Sequence, residues 1–376
     1  MSAAPPNPLL ELRKLGESAW LDDISRSMIE DGSLGRLVKD DGIAGLTSNP
    51  SIFANAITTD ARYAAPIAQL LPSIPTSIGI YEELALHDLK DAAALLRPLY
   101  DSTGGADGFV SMEVSPHLAY DSAGSLAEAK RLWGRLQLPN ALIKIPGTEA
   151  GVPVIRELIA AGINVNVTLL FSPERYRQVA QAYMDGLSAR AARGESVARV
   201  ASVASFFLSR IDSAVDKQVD ALVARGEGAA RALRGKAAIA SACRAYEIYE
   251  EMLAASQWQA LLGLGARPQR LLWASTSSKD PTFSAVKYVE ELVVPDTVNT
   301  MPLETLNTYR RVGRPALRLE RHIAEAADQR EAFERIGIDL DAVAAQLESE
   351  GVTKFIEPFD KLQQWLQNKR GGAQGS

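Results

Sequence analysis

The chain has 376 residues, 47% of them hydrophobic and 23% charged, with a net charge of −6, one Cys and three His. No run approaches the roughly 18–20 consecutive apolar residues that span a bilayer, and Met1-Ser-Ala-Ala-Pro-Pro-Asn-Pro8 has neither the basic start nor the apolar stretch of a signal peptide, so a cytoplasmic protein is expected. The acidic balance argues against an extended nucleic-acid footprint but leaves room for a small anion held by a few local cations.

Eight short runs rich in β-branched or aliphatic residues recur along the chain, at 18–22, 43–49, 108–113, 141–145, 164–168, 200–205, 270–275 and 293–299. Helical spacing fills the segments between them: 25–38, 60–67 with 77–99, 125–133, 150–161, 172–193, 237–255 and 283–292. Repeated strand–helix alternation calls for parallel strands with helical crossovers. Eight such units match a closed barrel better than an open sheet, so the expected fold is α/β, a single (β/α)8 TIM barrel. Between Ile211 and Gly235 an Ala- and Arg-rich stretch predicts an inserted helix. After the eighth strand, 303–312, 317–338 and 340–367 predict a C-terminal helical extension. The expected division is therefore a barrel over residues 1–302, an extension packed on it over 303–368, and a flexible tail over 369–376.

Lone Cys243 lies in a helical stretch and reads as a small buried apolar residue. His87, His117 and His322 lack the spacing that puts two imidazoles on one metal. Catalytic side chains of a barrel sit on the inward phase of a strand at its carboxyl end. On the fourth strand, if Ile143 and Ile145 face outward, Lys144 faces the interior, where burial among aliphatic groups favours a neutral, nucleophilic amine; a surface lysine at a strand end is the competing reading. Ser111 and Glu113 share one face of the third strand, and Asn164, Asn166 and Thr168 share one face of the fifth. Asp22 and Asn49 end the first two strands. An amine, carboxylates and hydrogen bonders gathered at one mouth have the parts for imine chemistry. Singly, each has a local alternative: Asn49 before Pro50 starts a turn, Asp22 or Asp23 caps a helix, Thr168 is a β-former. Arg210 and Lys279, after the sixth and seventh strands, supply cations near the last strands, where barrels often hold phosphate; structural salt bridging competes for both.

The strings carrying these residues are Leu46-Thr-Ser-Asn-Pro-Ser-Ile-Phe53, Val110-Ser-Met-Glu-Val114, Ile143-Lys-Ile-Pro146, Gly162-Ile-Asn-Val-Asn-Val-Thr-Leu-Leu-Phe-Ser172, Ala204-Ser-Phe-Phe-Leu-Ser-Arg-Ile-Asp212 and Trp273-Ala-Ser-Thr-Ser-Ser-Lys279. In order and content the chain resembles the transaldolase family, in its longer bacterial form, within the class I aldolases. The resemblance implies transfer of a dihydroxyacetone unit from fructose 6-phosphate or sedoheptulose 7-phosphate to erythrose 4-phosphate or glyceraldehyde 3-phosphate, in the non-oxidative pentose phosphate pathway. It implies Lys144 as the Schiff-base residue, Glu113 and Thr168 as holders of a catalytic water, and Asp22 as acid/base at the C4 hydroxyl. Asn49, Asn166 and Ser205 would orient the substrate, and Arg210 would bind its phosphate. No metal or organic cofactor is implied, and the expected partners are sugar phosphates, with no nucleic acid or membrane, in a monomer or homodimer.

Two positions depart from the pattern. Short members carry a second phosphate-binding arginine after the seventh strand, where this chain reads Ser277-Ser278-Lys279. In Trp20-Leu-Asp-Asp-Ile-Ser25 either acid aligns, and Asp22 has the inward parity of Trp20. The competing functions are a fructose-6-phosphate aldolase that releases dihydroxyacetone, and a non-catalytic barrel acting as a binding protein.

Overall fold

The computed structural model describes residues 7–374. Eight parallel strands form one sheet: β1 (Glu17–Asp22), β2 (Leu46–Thr47), β3 (Val110–Glu113), β4 (Ala141–Pro146), β5 (Val165–Leu170), β6 (Ser202–Phe207), β7 (Arg270–Ala274) and β8 (Thr297–Met301). Their order is β2-β1-β8-β7-β6-β5-β4-β3, and the open edge between β2 and β3 is drawn together by a Gly45–Phe109 bridge and by Leu46 N donating to Phe109 O at 2.9 Å. The result is a (β/α)8 TIM barrel. Strands covered by helices outside and side chains inside read as almost continuously apolar, which is why β4 is buried along its whole length.

Several crossover helices begin on the side chain that ends the preceding strand or loop. Ser25, Asn49, Thr76, Asp121 and Ser172 each accept a hydrogen bond from a backbone N–H of the first turn. The segment read as one helix over 25–38 is two, Arg26–Glu30 and Ser33–Asp40, because Gly32 between them adopts φ 74°. The insertion after β6 holds a full helix, Ser209–Ala224, and a 3-10 segment, Gly228–Leu233, before the helix Ala237–Ala254. The helix expected over 283–292 shrinks to Lys287–Glu290, and helices Pro8–Lys14 and Ser256–Gly263 have no counterpart in the sequence reading. Cys243 is buried, and burial pushes its thiol up to about 12.

Helix Leu303–Val312 packs against β1 and β8 in the eighth crossover position. The last helix, Leu340–Gln374, lies against helices Pro50–Thr59, Ser77–Ser102 and Ser209–Ala224 and reaches β5. It runs past Asn368, where the sequence reading placed a flexible tail, through a Gln364–Asn368 hydrogen bond and a Lys369 ammonium 5.1 Å from the Trp365 ring centroid. The N-terminal stretch read for a signal peptide lies outside the described residues up to Pro6, as do Gly375 and Ser376 of the expected tail. Among the described residues no helix is long and apolar enough to cross a membrane, and no group of three or more His, Cys, Asp or Glu is placed to hold a metal.

Candidate active site

Strand register sets the site. Glu113 lies beside Lys144, Lys144 beside Asn166, and Pro146 beside Thr168, so the inward side chains of β3, β4 and β5 form two adjoining levels at the carboxyl end. A register shift between Val167 and Leu170, with Leu169 at φ 60°, bends β5 where Thr168 faces the interior. Ser275, just past β7, also adopts a positive φ of 55°. Two non-glycine residues in the left-handed region flanking one mouth mark a place where the backbone is held out of its preferred conformation.

Lys144 is 4% exposed. Its Nζ donates to Ser48 O at 2.8 Å and to Glu113 Oε2 at 3.2 Å, with the Phe355 ring centroid 6.0 Å away. Burial raises the Glu113 carboxyl above its ordinary value, opposed by the Lys144 charge and hydrogen bond and reinforced by Asp22. Glu113 Oε1 and Thr168 Oγ1 are both buried with no hydrogen-bond partner from the protein. Asp22 Oδ1 accepts from Thr47 Oγ1 at 2.7 Å, and Thr47 is 2.8 Å from Thr300 Oγ1. Burial also raises Asp22, against the opposing charges of Lys144 and Arg210. Asp23, the other acid of the motif, is raised by burial as well but does not line the cavity.

That cavity, about 170 Å³, is bounded by Asp22, Asn49, Lys144, Thr168, Ser205, Arg210 and Lys279 among the expected residues. Glu113 and Asn166 stand at its wall: Glu113 meets Lys144, and Asn166 accepts from Ser205 Oγ at 2.7 Å and donates to Ser111 Oγ at 3.1 Å. Asn49 Oδ1 caps helix Pro50–Thr59, accepting from Ile52 N at 3.0 Å, and the residue also lines the cavity. Asn164 sits elsewhere, donating to Pro139 O and Ala141 O at the other end of the barrel. Arg210 stacks over Phe207 with one buried nitrogen, Nη1, unpartnered by protein; burial lowers its proton affinity. Lys279 is exposed on the rim and donates to Ser277 Oγ at 2.8 Å. Larger surface concavities, of about 360 and 340 Å³, lie outside the barrel mouth and gather no comparable set of groups.

Sequence reasoning missed Thr47, Thr300 and Phe355 as cavity residues. Thr300 falls one residue past the expected end of the eighth strand, and continuing the alternation from Val298 finds it. Phe355 comes from the last helix, and no local pattern announces its destination.

An amine buried beside a carboxylate of raised proton affinity, a second carboxylate across the cavity and two cations at the rim can form an imine and hold a phosphate. Residues 19–366 match the family described as Transaldolase/Fructose-6-phosphate aldolase. The chain is 45% identical over 372 residues to Transaldolase 2 of Nostoc sp., covering 96% of this chain and 97% of that one. It is 45% identical over 352 residues to a Transaldolase of Thiobacillus denitrificans, covering 94% and 97%, and 47% identical over 363 residues to Transaldolase 1 of Streptomyces avermitilis, covering 96% and 95%. With the family match and its relatives both spanning nearly the whole chain, this protein belongs to the transaldolase/fructose-6-phosphate aldolase family and is an enzyme of the transaldolase type.

Proposed function

We propose that the chain transfers a dihydroxyacetone unit between a ketose phosphate and an aldose phosphate through an imine on Lys144, as a cytoplasmic step of the non-oxidative pentose phosphate pathway. The observation that carries this reading is the Lys144 amine, buried at 3.2 Å from Glu113 in a cavity that Asp22 and Arg210 also line.

Glu113, with its raised proton affinity, takes a proton from the Lys144 ammonium. The freed amine attacks the ketose carbonyl, and water is lost as the imine forms. A water held between Glu113 Oε1 and Thr168 Oγ1, which have no protein partner, relays these protons. Asp22, ionised, takes the C4 hydroxyl proton; the carbon–carbon bond breaks and its electron pair moves into the protonated imine, leaving an enamine on Lys144. The aldose phosphate departs and the acceptor reverses the sequence. Ser205, Asn166 and Asn49 orient the hydroxyls, and Arg210, its Nη1 unpartnered, meets the phosphate, with Lys279 as the second cation.

Product analysis with fructose 6-phosphate, with and without erythrose 4-phosphate, tests the transfer. Sedoheptulose 7-phosphate should form with the acceptor, while dihydroxyacetone release without it stays at a small fraction of that rate. Equal rates would make the protein an aldolase.

A further inference from the structure

The last helix brings Phe355 to the barrel mouth, where it is 4% exposed and lines the cavity 6.0 Å from Lys144 Nζ. Contacts on either side fix it there. One turn earlier, Gly351 rests on the end of β5: a Cβ there would meet Leu169 Cδ2 at 3.0 Å and Phe171 at 3.5 Å, so the missing side chain lets the helix close on these two residues. One turn later, Phe359 packs edge-on against Tyr81 at 5.6 Å and against His117 at 6.0 Å, and Asp360 Oδ1 lies 2.7 Å from His117 Nε2.

We propose that Phe355 is a specificity-determining residue, which keeps water from the three-carbon unit held on Lys144 and so sets the partition between transfer and release of dihydroxyacetone. The inference rests on the reading of Lys144 as the imine residue. The enamine left by cleavage has two fates. Attack on an acceptor aldehyde forms the new carbon–carbon bond. Protonation of the same carbon instead gives an iminium; water adds to it, the carbon–nitrogen bond breaks, and dihydroxyacetone leaves with Lys144 regenerated. The balance closes, since the water consumed replaces the one lost on imine formation and the carbon gains the equivalent of the proton taken by Asp22. An apolar ring over the amine offers that water no hydrogen bond and occupies its approach.

The test is the ratio of dihydroxyacetone released to sedoheptulose 7-phosphate formed, from fructose 6-phosphate and erythrose 4-phosphate. Phe355→Ala should raise the ratio about tenfold, and Phe355→Leu, which keeps the buried face apolar and close to the same volume, about threefold. A purely structural role would lower both products together and leave the ratio unmoved. An unchanged ratio in Phe355→Leu, and in Phe355→Ala where it folds, would overturn the proposal. Borohydride trapping on the same samples separates the two readings: no adduct at Lys144 in the unmodified enzyme sinks the imine reading, whereas an adduct with an unmoved ratio sinks only the role of Phe355.

Discussion

Burial raises the proton affinity of both carboxylates near Lys144, and the direction has a measurable consequence. In the proposed mechanism Asp22 takes a proton only when ionised, so the acidic limb of kcat/KM should fall at a pH above the ordinary aspartate value of 3.8. Asp22→Asn keeps the shape but cannot take the hydroxyl proton. It should slow transfer by about 10²- to 10⁴-fold while borohydride still traps the unbroken ketose on Lys144, a separation that rapid-quench mass spectrometry reads. Loss of both would move Asp22 from carbon–carbon cleavage to imine formation. Much of this site was legible in the sequence because an inward polar residue in an apolar strand is improbable without a reason. Asp22, Lys144 and Thr168 stand out in that way and line the cavity, as does Ser205, which only the family resemblance pointed to. Asn164 shares their parity but lies at the other end of β5, since parity gives the face of a strand and not the height along it.

At the scale of elements, the turn after β4 is as constrained as the strand. Gly151 opens helix Gly151–Ala160, and a Cβ there would come within 1.9 Å of Pro146 O, the carbonyl that ends the strand carrying Lys144. Gly151→Ala should cost about 3 kcal/mol in chemical denaturation, because backbone rather than a flexible side chain must yield, and it should lower kcat through displaced Lys144. A variant of unchanged stability would place the turn elsewhere. The eight strands were readable as short β-branched runs, yet β2 is two residues long where seven were expected, at 43–49. Its flanks hold by other means: Gly45 lies against Trp20, and Asn49 already belongs to the helix cap. Periodicity sees residue type, whereas strand length depends on the neighbours available to pair. Helix Lys287–Glu290 is anchored by tertiary contacts. Lys287 and Tyr288 are drawn to Asp212 at 2.8 and 2.7 Å, a tertiary pull with no trace in local spacing.

At the scale of the whole molecule, the seam between β1 and β8 buries Glu17, and burial raises its carboxyl from 4.5 to about 8. Thr297 Oγ1 donates to Glu17 Oε2 at 3.2 Å and to Val294 O at 2.7 Å, too little to offset the burial, so the Glu17 carboxyl holds its proton. The native state keeps this proton while the unfolded chain releases it above pH 4.5. The unfolded state then binds fewer protons, and stability falls as pH rises from 4.5 toward 8. Glu17→Gln removes that slope and should gain about 3 kcal/mol at pH 8 relative to pH 5 in paired denaturant titrations. Parallel profiles for the two proteins would show that Glu17 is ionised in the fold.

The last helix is the part of the molecule least visible in the sequence. Its helical character was evident, but helical spacing does not say which surface the helix covers, and here it brings Phe355 to the mouth of the barrel. The chemistry beneath that cover rests on one covalent bond. Borohydride reduction in the presence of fructose 6-phosphate, followed by peptide mass mapping, should add a three-carbon unit to the peptide carrying Lys144 and abolish activity in proportion, with no adduct in Lys144→Ala. An active enzyme whose Lys144 stays unmodified, or an adduct on another lysine such as Lys279, would contradict it.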